Sequence, residues 1–250
     1  MHTTNKRIID VQGLISVMGK TVVLSEINFH IEEGEIAVII GGSGSGKTTV
    51  LKHLLGLYPS IDAAVSVLGE NPSLLDEKEQ KIFYKKIGVM YQEGALLKSM
   101  TVGENVGLPL EQHTNFPPDF IDEVVRLKLQ MVHLEKAFDK YPSQLSGGML
   151  KRVALARAIV MDPPILFCDE PGSGLDPITL SSLDELIINL KEQLGMTVVM
   201  VTHDVSSVLR MANRIVFLDQ GVSIFQGSVE HALASDKTII KEFFARGRGE

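Results

Sequence analysis

From Ile27 to Glu32 the chain alternates, with Ile27, Phe29 and Ile31 apolar and Asn28, His30 and Glu32 polar. A period of two residues puts each set on its own face of a strand, so residues 8–34 are expected to form a half-buried antiparallel flank. Four later runs do not alternate: 36–40 (IAVII), 165–168 (ILFC), 198–201 (VVMV) and 215–218 (IVFL). Short, continuous and rich in β-branched residues, they suit strands buried on both faces of a parallel sheet. Helical patterns over 48–57 and 180–194 fall between them, and that alternation implies an α/β core. The stretch 95–161 breaks the rhythm. Within it Ile121, Val124, Val125, Leu129 and Val132 recur at helical spacing behind Pro117 and Pro118, which can start a helix but not continue one. We therefore expect one domain over 1–250, an α/β core (1–94 and 162–250) carrying an inserted helical subdomain (95–161). Near the end, Leu218-Asp-Gln-Gly221 between two apolar pairs reads as a hairpin turn.

Composition narrows the setting. The 250 residues carry 24 Lys and Arg against 31 Asp and Glu, a net charge of −7. That balance argues against a broad nucleic-acid footprint, which needs a basic face. With 44% hydrophobic residues the chain can build a core, yet its longest unbroken apolar run is 36–40, far below the roughly 20 residues of a membrane-spanning helix. The first ten residues lack the pattern of a secretory signal, and the single cysteine, Cys168, agrees with a reducing compartment.

Residues 41–48 read GGSGSGKT, matching G-x-x-x-x-G-K-[ST] directly after a buried strand and directly before a helix. Here Gly41, Gly42, Ser43, Gly44, Ser45, Gly46 and the following Thr49 are expected to cradle phosphate with their N–H groups, aided by the helix N-terminus. Lys47 would hold the β and γ phosphates and Thr48 would ligate Mg²⁺. The competing reading is a chance glycine-rich turn, and the strand-loop-helix setting weighs against it. A second buried strand ends in Asp169-Glu170, where open parallel sheets bind ligands. Asp169 is expected at the Mg²⁺ shell, and Glu170 is expected to orient or deprotonate the attacking water. Ser146, in Leu145-Ser-Gly-Gly-Met149, can cap a helix over 150–160 and open a second anion site.

The order P-loop, Leu-Ser-Gly-Gly, Asp-Glu, Ser173-Gly-Leu-Asp176, Thr202-His203-Asp204 resembles the ATP-binding cassette ATPases over nearly the whole chain. In that family the signature of one subunit closes over ATP on the P-loop of its partner. One copy of each motif therefore implies a homodimer with two composite sites, to which Ser146, Gly147 and Gly148 contribute. By the same resemblance Gln92, 45 residues after Lys47, is the Q-loop glutamine, a ligand of Mg²⁺ and water. His203 is the switch histidine at the γ-phosphate, and Asp176 is the D-loop aspartate. Met18 and Val23 join the expected nucleotide contacts. Met18 stands where an aromatic ring usually stacks on adenine, which leaves base selectivity between ATP and GTP open.

Which cassette it resembles follows from what is fused to it. Gln92 and Leu145 are only 53 residues apart, too close for the coiled-coil arms of DNA-repair members, and one cassette per chain departs from translation-associated members. A separate permease is implied, meeting the segment from Gln92 to Leu110. That segment and 143–152 (SQLSGGMLKR) look most like the ATPases of Mce-linked lipid transporters. Those work with a permease and a periplasmic Mce-domain lipid-binding protein to move phospholipid between inner and outer membranes. The implied location is the cytoplasmic face of a bacterial inner membrane. Two alternatives stay open, an importer of a small polar solute such as an amino acid and a soluble nucleotide-switched binding protein. The C-terminal pattern Ile239, Ile240, Phe243, Phe244 suits a helix that packs on its own core or reaches the partner cassette.

Overall fold

The computed structural model describes residues 6–60 and 64–247. They form two compact units, Met1–Gln80 with Thr197–Glu250 and Lys81–Met196. The first opens with β1 (Arg7–Met18) and β2 (Thr21–Glu32), paired antiparallel. Along β2, Leu24, Ile27, Phe29 and Ile31 are buried while Ser25, Glu26 and Asn28 are exposed, so the period-two pattern decides which face meets the core. β3 (Ile36–Gly41) is buried along its whole length and runs through the glycine-rich loop into α1 (Lys47–Leu54). β4 (Val65–Val67) adds to β1 and completes a three-stranded antiparallel sheet. α2 (Glu77–Tyr84) runs across the boundary from the first unit into the second, and its Phe83 is buried.

The second unit begins with β5 (Ile87–Met90), followed by α3 (Val102–His113), α4 (Pro118–Met131) and α5 (Gly147–Ala158). Thr101 caps α3: its hydroxyl accepts from the Glu104 N–H at 3.2 Å while the Glu104 carboxylate accepts from the Thr101 N–H at 2.6 Å. The three helices pack on one another through buried Val106, Leu110, Ile121, Val125, Leu129 and Val153. β6 (Ile165–Asp169) pairs parallel with β5, and α6 (Pro177–Leu194) ends on left-handed Gly195.

The chain then returns to the first unit with β7 (Thr197–Val201), α7 (Val205–Met211), β8 (Arg214–Asp219), β9 (Val222–Gly227), α8 (Val229–Leu233) and α9 (Thr238–Gly247). There β3 lies parallel between β7 and β8, and β9 returns antiparallel to β8. Gln220 and Gly221 take φ 45° and 78° in the β8–β9 turn, as a two-residue hairpin with positive φ at both positions requires. At the opposite end of β8 the Arg214 guanidinium grips the Glu35 carboxylate with two hydrogen bonds of 2.7 and 2.8 Å.

The expected α/β class, its mostly parallel strands and the antiparallel flank are all present. The second unit holds β5, β6 and α6 as well as the helices foreseen over 95–161. Phe243 of α9 meets Phe217 of β8 edge to face at 5.3 Å and Phe244 is buried, so the last helix packs on its own unit. The end of the glycine- and arginine-containing tail, 248–250, lies outside the described residues. Among the described residues no helix is long and apolar enough to cross a membrane.

Candidate nucleotide site

In the first unit the parallel register sets the site. Ile39 of β3 lies opposite Val201 of β7, so Gly41 and His203 each stand two residues beyond the same pair, at the carboxyl ends of neighbouring strands. Gly41 cannot be replaced without moving backbone, since a Cβ there would fall 2.1 Å from the Leu218 carbonyl oxygen. Gly46 takes φ 100° as the cap of α1, a cap with no side-chain hydrogen bond, and the first turn of α1 holds no acidic residue. The helix thus offers its N–H groups and positive end to an anion.

Val23, Gly44, Ser45, Gly46, Lys47, Thr48 and Thr49 line a cavity of about 230 Å³. The loop is supported from behind by the β8–β9 turn, where the Gly221 N–H donates to the Ser45 carbonyl at 3.3 Å and the Gly221 carbonyl accepts from the Ser25 N–H at 2.7 Å. Two observations fit a polyphosphate here. The Ser45 hydroxyl is buried with no hydrogen-bond partner among the described residues, which is costly unless a ligand supplies one. The Lys47 ammonium donates to the carbonyls of Gly41 and Gly42, each at 2.9 Å, and so stands over the loop. Met18, the last residue of β1, pairs with Thr21 and is 41% exposed.

His203 follows β7 and directly precedes the cap of α7. There the Asp204 carboxylate accepts from the Ser207 N–H at 2.9 Å and the Ser206 hydroxyl at 2.6 Å. Burial pushes its pKa up, but these bonds outweigh burial and hold it below the usual carboxylate range. The result is a fixed anchor immediately after His203.

The second unit repeats the geometry. Met90 of β5 lies opposite Cys168 of β6, so Gln92 and Glu170 each stand two residues beyond the pair. Asp169 is the last residue of β6, and Glu170 takes a left-handed φ of 47°. The Gln92 carboxamide donates to the Ser173 hydroxyl at 3.3 Å, reaching the loop that ends in Asp176. Buried Cys168 is a thiol pushed up to about 12 by burial, so it packs and does not react.

Ser146 caps α5 by accepting from the Met149 N–H at 3.4 Å, as its place in the signature implied. Gly148 has a packing reason as well: a Cβ there would meet the Thr179 methyl at 2.7 Å. Asp176 has a structural duty that the motif did not reveal. It caps α6, accepting from the N–H groups of Ile178 and Thr179 at 3.0 and 3.1 Å and from the Thr179 hydroxyl at 2.5 Å. The Thr179 hydroxyl above all lowers its pKa. Sequence reasoning missed the supports: Gly221 under the P-loop, and Lys151, Arg157 and Asn105 around the segment after Gln92.

A family model described as ABC transporter matches residues 24–173. The chain is 35% identical over 239 residues to the intermembrane phospholipid transport system ATP-binding protein MlaF of Haemophilus influenzae, covering 96% of this chain and 90% of that protein. To the methionine import ATP-binding protein MetN of Haemophilus influenzae it is 36% identical over 227 residues, 91% of this chain and 66% of that protein. Among solved structures, the dimeric ATP-binding cassette MJ0796 in a post-hydrolysis state with ADP and Pi superposes with a TM-score of 0.79. The identity is 33%, over 88% of this chain and 98% of that one.

Proposed function

The chain belongs to the ABC transporter family of ATPases, and from that premise we propose that two copies close around two Mg·ATP to drive a separate phospholipid permease. The observation that carries the lipid reading is likeness to the phospholipid transport protein MlaF over nearly the full length of both chains. Residues 92–110 supply the permease contact, and an Mce-domain lipid-binding protein completes the assembly at the cytoplasmic face of the inner membrane. Transport of a small polar solute is the second reading. Identity to the methionine import ATP-binding protein MetN is as high, though only 66% of that protein is covered.

In the proposed cycle, the N–H groups of residues 41–49 and the Lys47 ammonium hold the phosphates of ATP on one copy. Ser146, Gly147 and Gly148 of the other copy close over them, and Met18 and Val23 contact the base. Thr48, Gln92 and Asp169 hold Mg²⁺, which when bound neutralises charge on the phosphates. Glu170 accepts a proton from the attacking water, His203 hydrogen-bonds the γ-phosphate, and Lys47 stabilises the charge that develops on it. Asp176 links the two sites.

The test is purification of the tagged chain from its native membranes, with co-purifying proteins and bound lipids identified by mass spectrometry. We expect a multi-span permease, an Mce-domain protein and phospholipid. A solute permease with a solute-binding protein would overturn the lipid reading and keep the ATPase.

A further inference from the structure

The main chain that follows Gln92 is held from two helices. From α5, the Lys151 ammonium donates to the Gln92 carbonyl oxygen. Six residues further along α5, the Arg157 guanidinium donates to the carbonyls of Gly94 at 2.6 Å and Ala95 at 2.9 Å. From α3, fully buried Asn105 donates to the carbonyls of Leu97, Met100 and Thr101 at 3.0, 3.2 and 2.9 Å, and accepts from the Leu97 N–H at 2.7 Å.

The turn between these grips is tight. Gly94 and Ala95 are both left-handed, with φ 72° and 48°, and a Cβ on Gly94 would stand 3.2 Å from the Ala154 methyl on α5.

Lys151 is the unusual member. It is 8% exposed in a helix whose neighbouring positions Val153, Ala154, Leu155 and Ala156 are buried and apolar. An apolar side chain would satisfy packing there, and an ammonium taken out of water is costly unless it is paired. Burial draws its pKa down, and the carboxylates of Glu93 and Glu170 pull it back. Its bond goes to the carbonyl of the one residue in this loop whose carboxamide reaches Ser173, and it lies one helical turn from the Ser146 cap.

We propose that Lys151 is a positioning residue for ATP hydrolysis. It ties the Gln92 main chain to the helix that carries the signature serine, so that the Gln92 carboxamide and the Ser146 end of α5 move as one piece. The proposal rests on the reading of Gln92 as a ligand of Mg²⁺ and water.

The experiment uses the full chain with Lys151→Met, Lys151→Arg and Gln92→Ala. Three quantities are read: hydrogen exchange of the amides of residues 93–97, Mg²⁺ half-saturation of ATP hydrolysis, and ATP affinity at the P-loop. In Lys151→Met we expect the amides to exchange about tenfold faster. Mg²⁺ half-saturation should rise about tenfold, the usual scale for losing a residue that orients a ligand. ATP affinity, set by the P-loop, should stay within about twofold, and Lys151→Arg, which can still reach the carbonyl, should restore both other values. Unchanged exchange, unchanged Mg²⁺ dependence, or an arginine variant no better than methionine would each overturn the positioning role. Gln92→Ala separates the two failures. If it raises Mg²⁺ half-saturation while Lys151→Met does not, only Lys151 is misassigned; if it leaves the value unchanged, the reading of Gln92 fails and the proposal falls with it.

Discussion

Glu170 takes φ 47° immediately after a buried strand, a conformation that costs an ordinary residue about 1–2 kcal/mol. Such strain persists where the surroundings fix a side chain for chemistry. If Glu170 is the base, Glu170→Gln should keep ATP binding and lose turnover, because an amide cannot accept the proton; undiminished steady-state hydrolysis would remove Glu170 from the mechanism. Lys47 lends itself to a binding test. If the Lys47 ammonium holds the phosphates, Lys47→Ala deletes a charged contact of about 1.5–3 kcal/mol, a loss of ATP affinity of at least about tenfold by calorimetry; unchanged affinity would remove Lys47 from the site. Met18→Tyr should tighten ATP binding by about 0.5–1.5 kcal/mol through ring stacking. No change would mean that Met18 does not face the base.

Elements whose residues carry their own signal were legible in the chain. The alternation in β2, the continuous apolar runs of β3, β6, β7 and β8, and the Pro-initiated α4 all announce themselves through local pattern. β4, with three residues, and β5, with four, are too short for any period to show, and they exist because β1 and β6 give them ladder partners. The site divides in the same way. Motif residues from Gly41 to Thr49 could be named because spacing alone encodes a nest. Gly221, Lys151 and Asn105 could not, since each acts across a fold that sequence distance conceals. α1 supplies a prediction of its own through His53, 2% exposed on its inner face and edge-on to Tyr58 at 5.6 Å. Burial lowers its pKa and a Tyr58 backbone contact opposes that weakly. The neutral ring therefore stabilises the fold above its unfolded pKa of about 6.5, and that contribution is lost as pH falls through the lowered folded value. His30, lowered chiefly by burial, acts with the same sign. Denaturant melts should show stability falling between about pH 7 and 5, with a shallower fall in His53→Leu; an unchanged slope would mean that His53 titrates normally.

For the molecule as a whole, ligand and partner are linked to stability. A nucleotide that binds the folded chain at about a hundred times its Kd adds about 2.7 kcal/mol. Mg·ATP should therefore raise the melting temperature, and in Glu170→Gln the rise should also depend on protein concentration as pairs form. A 27.4 kDa species that stays monomeric with ATP in that variant would count against the paired cycle. The acidic surface, at −7, repels a polyanion at long range, so attraction has to come from the loop at contact distance. There the Lys47 ammonium already rests on the carbonyls of Gly41 and Gly42. On the proposed binding mode an arriving phosphate would exchange one set of oxygens for another, and a departing product would hand the ammonium back to the same two carbonyls. If Lys47 holds the phosphates as proposed, the loop would be its own mould between turnovers, and emptying it would reset the site without any refolding.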